Sequence, residues 1–155
     1  MHSHYWTDED RRDLKVAQTY RDLSKIALQV LARMPEPRGE LCGPITSGGA
    51  GSVEANLRRF DRAIQKLTEE GTEIFSQMPF EMIIQEMRQK MNLKEYDTYI
   101  LNDFYLPIFE SGFIHTLYFL PDWETSVGAR WEHEQAERLG IAIIYLDVTH
   151  FGEYE

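Results

Sequence analysis

Short apolar segments alternate with amphipathic helices along this 155-residue chain, and this alternation constrains the fold more than any other feature of the sequence. Residues 113–120 and 141–146 are rich in β-branched and aromatic side chains, which favours strands, and helical periodicity separates them. Strands joined by helices usually pair in parallel. We therefore predict one α/β domain over residues 1–155, a doubly wound, flavodoxin-like or Rossmann-like parallel sheet of about four to five strands.

The N-terminal segment carries the longest helical pattern. Apolar residues recur at spacings of three and four from residue 8 to residue 34, which predicts one long amphipathic helix that extends the domain. Thr7, followed by three acidic residues, predicts the N-terminal cap, and Pro35 predicts the end. The apolar stripe of such a helix is suited to cover the domain or to pair with a second subunit.

The remaining elements follow from periodicity and from glycine and proline stops. Helices are predicted over residues 53–70, 79–91, 99–109 and 127–139, and strands over residues 40–42, 72–76, 113–120 and 141–146. Because residues 141–146 are almost continuously apolar, we expect that strand to be covered on both faces. Pro107 is expected to bend the end of its helix.

Two helical side-chain patterns give more local predictions. Met82, Met87 and Met91 follow helical spacing, so we expect them to form the packing face of their helix. Arg58 and Arg59 are expected to face solvent.

The charge balance limits the partners of the protein. The chain has 26 acidic and 16 basic residues, a formal net charge of −10, which opposes non-specific binding to a nucleic-acid backbone or an anionic membrane. Cys42 is the only cysteine, so no intramolecular disulfide forms and a reducing compartment fits best. No apolar run approaches the roughly 20 residues that cross a bilayer. We expect a cytoplasmic protein without membrane or nucleic-acid-polymer partners.

The residues most suited to chemistry stand where helix 127–139 begins. There the hydroxyl of Ser126 and the unpaired N–H groups near Gly128 can hold an anion. Glu132 follows one turn later and would project toward the bound group, a suitable place for a carboxylate nucleophile that attacks a sugar carbon. The pattern is permissive, because Ser126 can also be a simple helix cap and Glu132 an exposed surface glutamate.

Over residues 38–146 the chain resembles the nucleoside 2-deoxyribosyltransferase-like superfamily, especially its small phage and bacterial members. The resemblance rests on the Gly43-Pro44 turn, the helix with Asn56-x-x-x-Phe60, and the sequence Trp123-x-x-Ser126-x-Gly128-Ala129-x-x-Glu132-x-x-x-Ala136. The last of these is the most specific.

This resemblance implies a nucleotide ligand. In the 2'-deoxynucleoside 5'-monophosphate N-hydrolases of the superfamily, a serine and a glycine at the offsets of Ser126 and Gly128 from the catalytic glutamate hold the 5'-phosphate, and Glu132 stands at the position of that glutamate. The further residues expected to bind nucleotide are Gly43, Pro44, Ala129 and Arg130. Relatives complete their pockets with a neighbouring subunit, so a homodimer or higher homo-oligomer is expected.

Two positions depart from the superfamily pattern. Relatives use an aspartate upstream of the third strand to assist departure of the base or to orient the sugar, and Asp103 and Glu110 are the candidates for this general acid here. Relatives also often place a tyrosine just before the Gly-Pro turn, where this chain has Glu40-Leu41-Cys42.

We expect hydrolysis of the N-glycosidic bond of a (deoxy)nucleoside 5'-monophosphate through a glutamate nucleophile, with neither a cofactor nor a metal. Two alternatives stay open: a non-catalytic nucleotide-binding or sensor module, and a nucleoside 2-deoxyribosyltransferase that exchanges bases.

Three other features suggest chemistry less strongly. His115 and His133 lack the close spacing of zinc ligands, so structural or surface roles are expected. Cys42 has no obvious base beside it and is expected to be a small buried residue. The glycine-rich loop, residues 48–52, does not match the dinucleotide-binding pattern and is better suited to cover a phosphate or a base.

Overall fold

The structure is a computed structural model that describes residues 3–46, 48–90 and 98–151. Within these residues four short strands form one sheet: β1 (Gly39–Cys42), β2 (Ile74–Phe75), β3 (Thr116–Phe119) and β4 (Ala142–Tyr145). Their spatial order is β2-β1-β3-β4, and every neighbouring pair is parallel. The predicted α/β fold with a parallel sheet is therefore confirmed.

Seven α-helices surround the sheet in the part of the chain that is described. They are α1 (Asp8–Val16), α2 (Tyr20–Arg33), α3 (Val53–Glu69), α4 (Met78–Lys90), α5 (Leu106–Glu110), α6 (Val127–Leu139) and α7 (Val148–Phe151). Side chains of α3 and α7 share one hydrophobic core cluster, and those of α2, α4, α5 and α6 share another. Adjacent residues of β1 point to opposite faces of the sheet: Leu41 packs in the cluster of α3 and α7, and Cys42 packs in the cluster of α2, α4, α5 and α6. Helices therefore cover both faces of the sheet.

The predicted single N-terminal helix is wrong, because the chain breaks between α1 and α2. Ala17 is extended, with φ −60° and ψ 134°, and Thr19 then caps α2 by accepting a hydrogen bond from the backbone N–H of Asp22. The Asp22 carboxylate accepts hydrogen bonds from the backbone N–H groups of Gln18 and Thr19 in return. This reciprocal cap stabilises a new helix start within an apolar pattern that continues across the break.

Strand β4 is not covered on both faces, contrary to the prediction for residues 141–146. It lies at the edge of the sheet and pairs only with β3 among the described strands. Ile144 is 44% exposed and Tyr145 58% exposed. The continuous apolar sequence indicated burial on both faces. The prediction failed because the strand lies at the edge of the sheet, where the rest of the chain covers it less.

Helix α4 is rotated relative to its predicted packing face. Met82 is 60% exposed and Met87 half-buried, while Met91 lies outside the described residues. The buried face instead carries Phe80 and Ile84, together with the charged residues Glu81 and Arg88. Apolar periodicity misplaced this face because two of its four members are charged.

The helix predicted over residues 99–109 contains a π-helical segment, Leu101–Tyr105, which continues into α5. Pro107 has no N–H to donate and would crowd the carbonyl four residues before it in a regular α-helix. The wider π-helical turn accommodates this proline. Such turns occur often at functional sites, and this one borders the cavity described below.

The topology places one crevice at the carboxyl end of the sheet. After β1 the chain crosses to α3 on one face, and after β3 it crosses to α6 on the other. Ligands of doubly wound sheets bind where neighbouring strands send their connections to opposite faces. Among the described residues, no helix combines the length and apolar character that a membrane crossing requires.

Candidate functional site

The N-terminus of α6 lies at this crevice. Ser126 caps the helix, because its Oγ accepts a hydrogen bond from the backbone N–H of Ala129 at 3.1 Å. Ser126, Gly128 and Ala129 are buried, and all three line a cavity of about 30 Å³. The cap interpretation of Ser126 is therefore confirmed, and the same residue also faces the cavity.

Glu132 lines the same cavity one turn later in α6. It is only 6% exposed, so the interpretation as a surface glutamate is wrong. The thiol of Cys42, at the end of β1, donates a hydrogen bond to its carboxylate. Burial raises the pKa of Glu132 to about 8; the Cys42 hydrogen bond opposes this rise, and the charge of Glu81 adds to it.

A second carboxylate reaches the cavity from α4. Glu81 is buried and accepts a hydrogen bond from the hydroxyl of Tyr105, which belongs to the π-helical segment. Burial raises the pKa of Glu81, while this hydrogen bond and the positive charge of Arg88 oppose the rise. Burial also raises the pKa of Tyr105 well above its usual range, with contributions from Glu81, Glu40 and Glu132.

A third carboxylate, Glu40, lies behind the cavity in the middle of β1. It is fully buried, and neither of its carboxylate oxygens has a hydrogen-bond partner among the described residues. Burial, followed by the charges of Glu132 and Glu81, raises its pKa well above the usual range. We call Glu40, Glu81 and Glu132 the carboxylate cluster. Because these buried groups repel one another when charged, the cluster favours proton-holding forms.

Asp103 and Glu110, the predicted general acids, do not lie with Glu132. Asp103 forms an ion pair with Arg21 at 3.2 Å and lines a surface groove. Glu110 is half-exposed and forms an ion pair with Arg138 at 3.6 Å. Neither residue lines the cavity, so the structure brings Glu81 rather than either of them into the crevice with Glu132.

Some of the other residues predicted to bind nucleotide line the cavity, and others do not. Gly43 lines the cavity, and a Cβ there would lie 2.6 Å from the Leu120 side chain, so the close approach of β1 to β3 requires glycine. Pro44 is buried directly after it. Arg130 is exposed and donates to the carbonyl of Glu124 at 2.7 Å, and it does not line the cavity.

The glycine-rich loop is held against the start of α6. The backbone N–H of Gly49 donates to Thr125 Oγ1 at 3.0 Å, and Asn56 Oδ1 accepts from the backbone N–H of Ala50 at 2.8 Å. Gly48 has φ 71°, and a Cβ there would lie 2.3 Å from the Thr125 carbonyl oxygen. The loop thus lies beside the N-terminus of α6, where its role over a phosphate or base stays a prediction.

Arg59 is buried, so its predicted exposure is wrong, whereas Arg58 is exposed as predicted. Arg59 is 3% exposed, and its Nη1 forms an ion pair with Asp122 at 2.7 Å. This pair ties the turn that precedes α6 to the centre of α3. The sequence did contain a signal for this burial, because Arg59 lies three residues after Asn56 and next to Phe60, and both of these residues are on the buried face of α3.

Both histidines have structural partners. The ring of His133 stacks on Trp123 with centroids 4.5 Å apart, and its Nε2 lies 2.6 Å from the hydroxyl of Tyr145. His115 Nδ1 accepts from the backbone N–H of Arg38 at 3.0 Å. In the described part of the chain, no group of three or more His, Cys, Asp or Glu side chains is placed to hold a metal ion.

Sequence reasoning missed Glu40, Glu81 and Tyr105. Glu40 could have been noticed, because a charged carboxylate in a buried strand is energetically unfavourable unless it is neutral or paired. Glu81 and Tyr105 carried none, because their approach to Glu132 depends on the rotation of α4 and on the π-helical turn.

Comparison with known proteins gives a family and nothing more. A family model described as "Domain of unknown function (DUF4406)" matches residues 40–145, which is more than half of the chain. Neither the curated proteins nor the solved structures contained a match. The matched region begins with the buried glutamate of β1 and ends with β4, and it includes all residues of the carboxylate cluster.

Proposed function

The chain belongs to the DUF4406 family, and we propose that it cleaves the N-glycosidic bond of a nucleoside 5'-monophosphate with Glu132 as the nucleophile. One observation carries the proposal: the buried carboxyl of Glu132 lines the same cavity as Ser126 and Gly128 at the N-terminus of α6. An anion site and a buried carboxyl thus lie one helical turn apart. This arrangement suits a sugar phosphate whose anomeric carbon reaches Glu132 while its phosphate lies at the N-terminus of α6.

The phosphate would bind at the start of α6. This helix has 13 residues, and its first N–H groups carry partial positive charge whatever the net charge of the protein. The hydroxyl of Ser126 accepts one backbone hydrogen bond and can still donate its own hydrogen to a phosphate oxygen. Residues of the motif thereby supply the local site that a protein of charge −10 needs for an anion.

The reaction would proceed by a double displacement. The carboxylate of Glu132 attacks the anomeric carbon, the C–N bond breaks, and the base leaves with the bonding electrons and receives a proton. Water then attacks the glycosyl ester, releases the sugar phosphate and restores the Glu132 carboxylate. The leaving base takes its proton from water, and Glu81 is suited to accept a proton from the attacking water, because it is charged while Glu132 titrates and Tyr105 holds its carboxyl at the cavity.

The cavity must widen before a nucleotide can bind. Its volume of about 30 Å³ has room for water, whereas small-molecule sites usually occupy at least about 300 Å³. Two segments outside the sheet and α6 line it, the loop that contains Ile45 and Thr46 and the segment that contains Ile100 and Leu101. We expect nucleotide binding to displace one of these segments, and α6, which carries the motif, to remain in place.

A nucleotide-binding module without catalysis is the second candidate. The raised pKa of Glu132, about 8, favours it, because most copies of the ligand-free protein hold a neutral carboxyl there at pH 7. A neutral carboxyl is a poor nucleophile but a good hydrogen-bond donor.

Base release from a panel of ribo- and deoxyribonucleoside 5'-monophosphates, followed by chromatography at pH 7 and pH 9, tests the proposal. We expect release by the wild type and a loss of at least about a thousandfold in Glu132→Gln. Glu134→Gln is the matched control, because Glu134 is exposed on the same helix. Equal activity in Glu132→Gln refutes the mechanism.

The same assay separates the alternatives. Saturable nucleotide binding without release at either pH favours the binding module. Formation of a new nucleotide when a free base is added identifies base exchange rather than hydrolysis.

A further inference from the structure

We infer that Glu40 is a positioning residue for Glu132: it keeps its proton while Glu132 ionises, so that the negative charge resides on the nucleophile rather than on Glu40. This inference rests on the proposed function for its catalytic meaning, although its physical content concerns the ligand-free protein.

The strand geometry places Glu40 on the side of Glu132. Glu40 and Cys42 are two residues apart in β1, so their side chains point to the same face of the sheet. Cys42 donates a hydrogen bond to Glu132 on that face, whereas Leu41 between them packs in the cluster of α3. Strands β2 and β3 flank Glu40, with Phe75 and Leu117 as its register partners, and its side chain is fully buried.

Among the residues that the structure describes, no compensating group meets the Glu40 carboxyl. The titratable groups that act on it or share its surroundings are Glu132 of α6, Glu81 of α4, Tyr105 of the π-helical segment and Cys42 of its own strand. None of these four can carry a positive charge, and Arg88, the cation nearby, acts on Glu81. A charged carboxylate that is fully buried without a hydrogen bond is strongly unfavourable, so Glu40 is neutral.

The order of ionisation follows from these surroundings. Burial and then the carboxylate of Glu132 raise the pKa of Glu40 well above its usual range. Glu132 has the thiol of Cys42 as a donor to its charged form, and its pKa is about 8. Glu132 therefore loses its proton first, and Glu40 retains its proton to higher pH.

Ionisation of Glu132 before Glu40 suits a nucleophile whose charge changes during the reaction. Glu132 is negative before attack, neutral as the glycosyl ester, and negative again after hydrolysis. A neighbour that stays neutral throughout needs no proton transfer at either step. A second ionisation, that of Glu40, would place two charges on one face of β1 and close the active range on its alkaline side.

Titration of the glutamate carboxyl carbons by ¹³C NMR, in the ligand-free protein, tests the inference without any substrate. The proteins compared are the wild type, Glu40→Gln, Glu132→Gln and the surface control Glu134→Gln. The resonance lost in each variant assigns the corresponding residue. We expect the midpoint of Glu132 in Glu40→Gln to lie within about half a pH unit of the wild-type midpoint, because a neutral group replaces a neutral group.

Two results would contradict the inference. If Glu40 is ionised while Glu132 titrates, its replacement by glutamine removes a negative neighbour, and the Glu132 midpoint falls by about one unit or more. A Glu40 resonance that is assigned through its backbone connectivities and titrates below that of Glu132 in the wild type leads to the same conclusion, even if Glu40→Gln does not fold. Either result overturns the inference.

The pH profile of base release supplies the catalytic readout. We expect Glu40→Gln to keep its rate at pH 8 within about threefold of the wild type and to lose the alkaline decline. A rate as low as that of Glu132→Gln overturns the positioning role. If no nucleotide is cleaved by any protein, the proposed function fails while the NMR titration still decides the protonation of Glu40.

Discussion

At the scale of single residues, the protonation of Glu132 is balanced between opposing influences. Burial and the charge of Glu81 favour the neutral acid, and the Cys42 thiol favours the carboxylate. Cys42 is itself buried, and burial together with the charges of Glu132 and Glu40 raises its pKa, so it remains a donor rather than a thiolate. The expectation that Cys42 is a buried structural residue is confirmed, with the hydrogen bond to Glu132 as an added role.

Cys42→Ala is expected to raise the pKa of Glu132 above about 8. Removal of the thiol leaves the carboxylate without this hydrogen bond, so the rise of activity with pH shifts upward by about one unit. The measurement is the pH dependence of kcat/KM for base release.

Cys42→Ser is the matched control, because its hydroxyl retains a donor at the same position and should leave the profile near that of the wild type. A profile in Cys42→Ala that superimposes on the wild-type profile would show that the thiol does not tune Glu132.

At the scale of elements, the helix predictions from sequence succeeded where one face of the helix is apolar and failed where charged or capping residues interrupt the pattern. Helix α6 begins at its predicted cap and ends at Gly140, which has φ 73°, so its motif residues were placed correctly. Helix α4 was rotated because Glu81 and Arg88 occupy its buried face. The break between α1 and α2 was missed because apolar spacing continues through it. Charged and capping residues account for these two helix errors, whereas the exposure of β4 follows from its position at the edge of the sheet.

Two helix caps allow the role of the α6 terminus to be isolated. Ser126 caps α6 and Thr7 caps α1, each by accepting a hydrogen bond from the backbone N–H three residues later. Replacement of either by alanine should lower the free energy of unfolding by about 1 kcal/mol. Only Ser126→Ala should also raise KM for the nucleotide, by about tenfold or more, because it removes a donor to a charged phosphate.

The measurements for this pair are urea unfolding and steady-state kinetics. A nucleoside without phosphate serves as the second control, since its KM should not respond to Ser126→Ala. Equal effects of Ser126→Ala and Thr7→Ala on KM would mean that Ser126 acts only as a cap.

At the scale of the whole molecule, the sheet order explains why the site was only half predictable. The motif in α6 is local in sequence, so Ser126, Gly128 and Glu132 could be recognised together. The partners of Glu132 come from β1 and α4, and they meet it only because β1 lies beside β3 and α4 packs on the same face as α6. Glu40 and Glu81 are 92 and 51 residues from Glu132 in the sequence. The expected homo-oligomer stays a prediction.

The carboxylate cluster should make the fold less stable at alkaline pH. Its members have pKa values raised above the usual carboxyl range, so the native state binds more protons than the unfolded state. The stability that these bound protons contribute is fully present below the unfolded-state pKa, near 4.5. For Glu132 it is lost progressively as pH rises from there through the folded-state pKa of about 8. Glu132 alone should account for about 2–3 kcal/mol of lost stability between pH 6 and pH 9.

Urea unfolding at pH 6 and pH 9 measures this loss. The difference between the two pH values should be smaller in Glu132→Gln than in the wild type, and unchanged in Glu134→Gln, where the altered side chain is exposed. A wild type that is equally stable at both pH values would show that these carboxyls are not held neutral in the folded protein.

Acid quenching during turnover, followed by peptide mass spectrometry, is the most direct test of Glu132 as the nucleophile. We expect the α6 peptide to gain the mass of one sugar phosphate on Glu132 while base is released, and Glu132→Gln to gain none. Base release by the wild type with no adduct on Glu132, together with undiminished release by Glu132→Gln, would contradict this assignment.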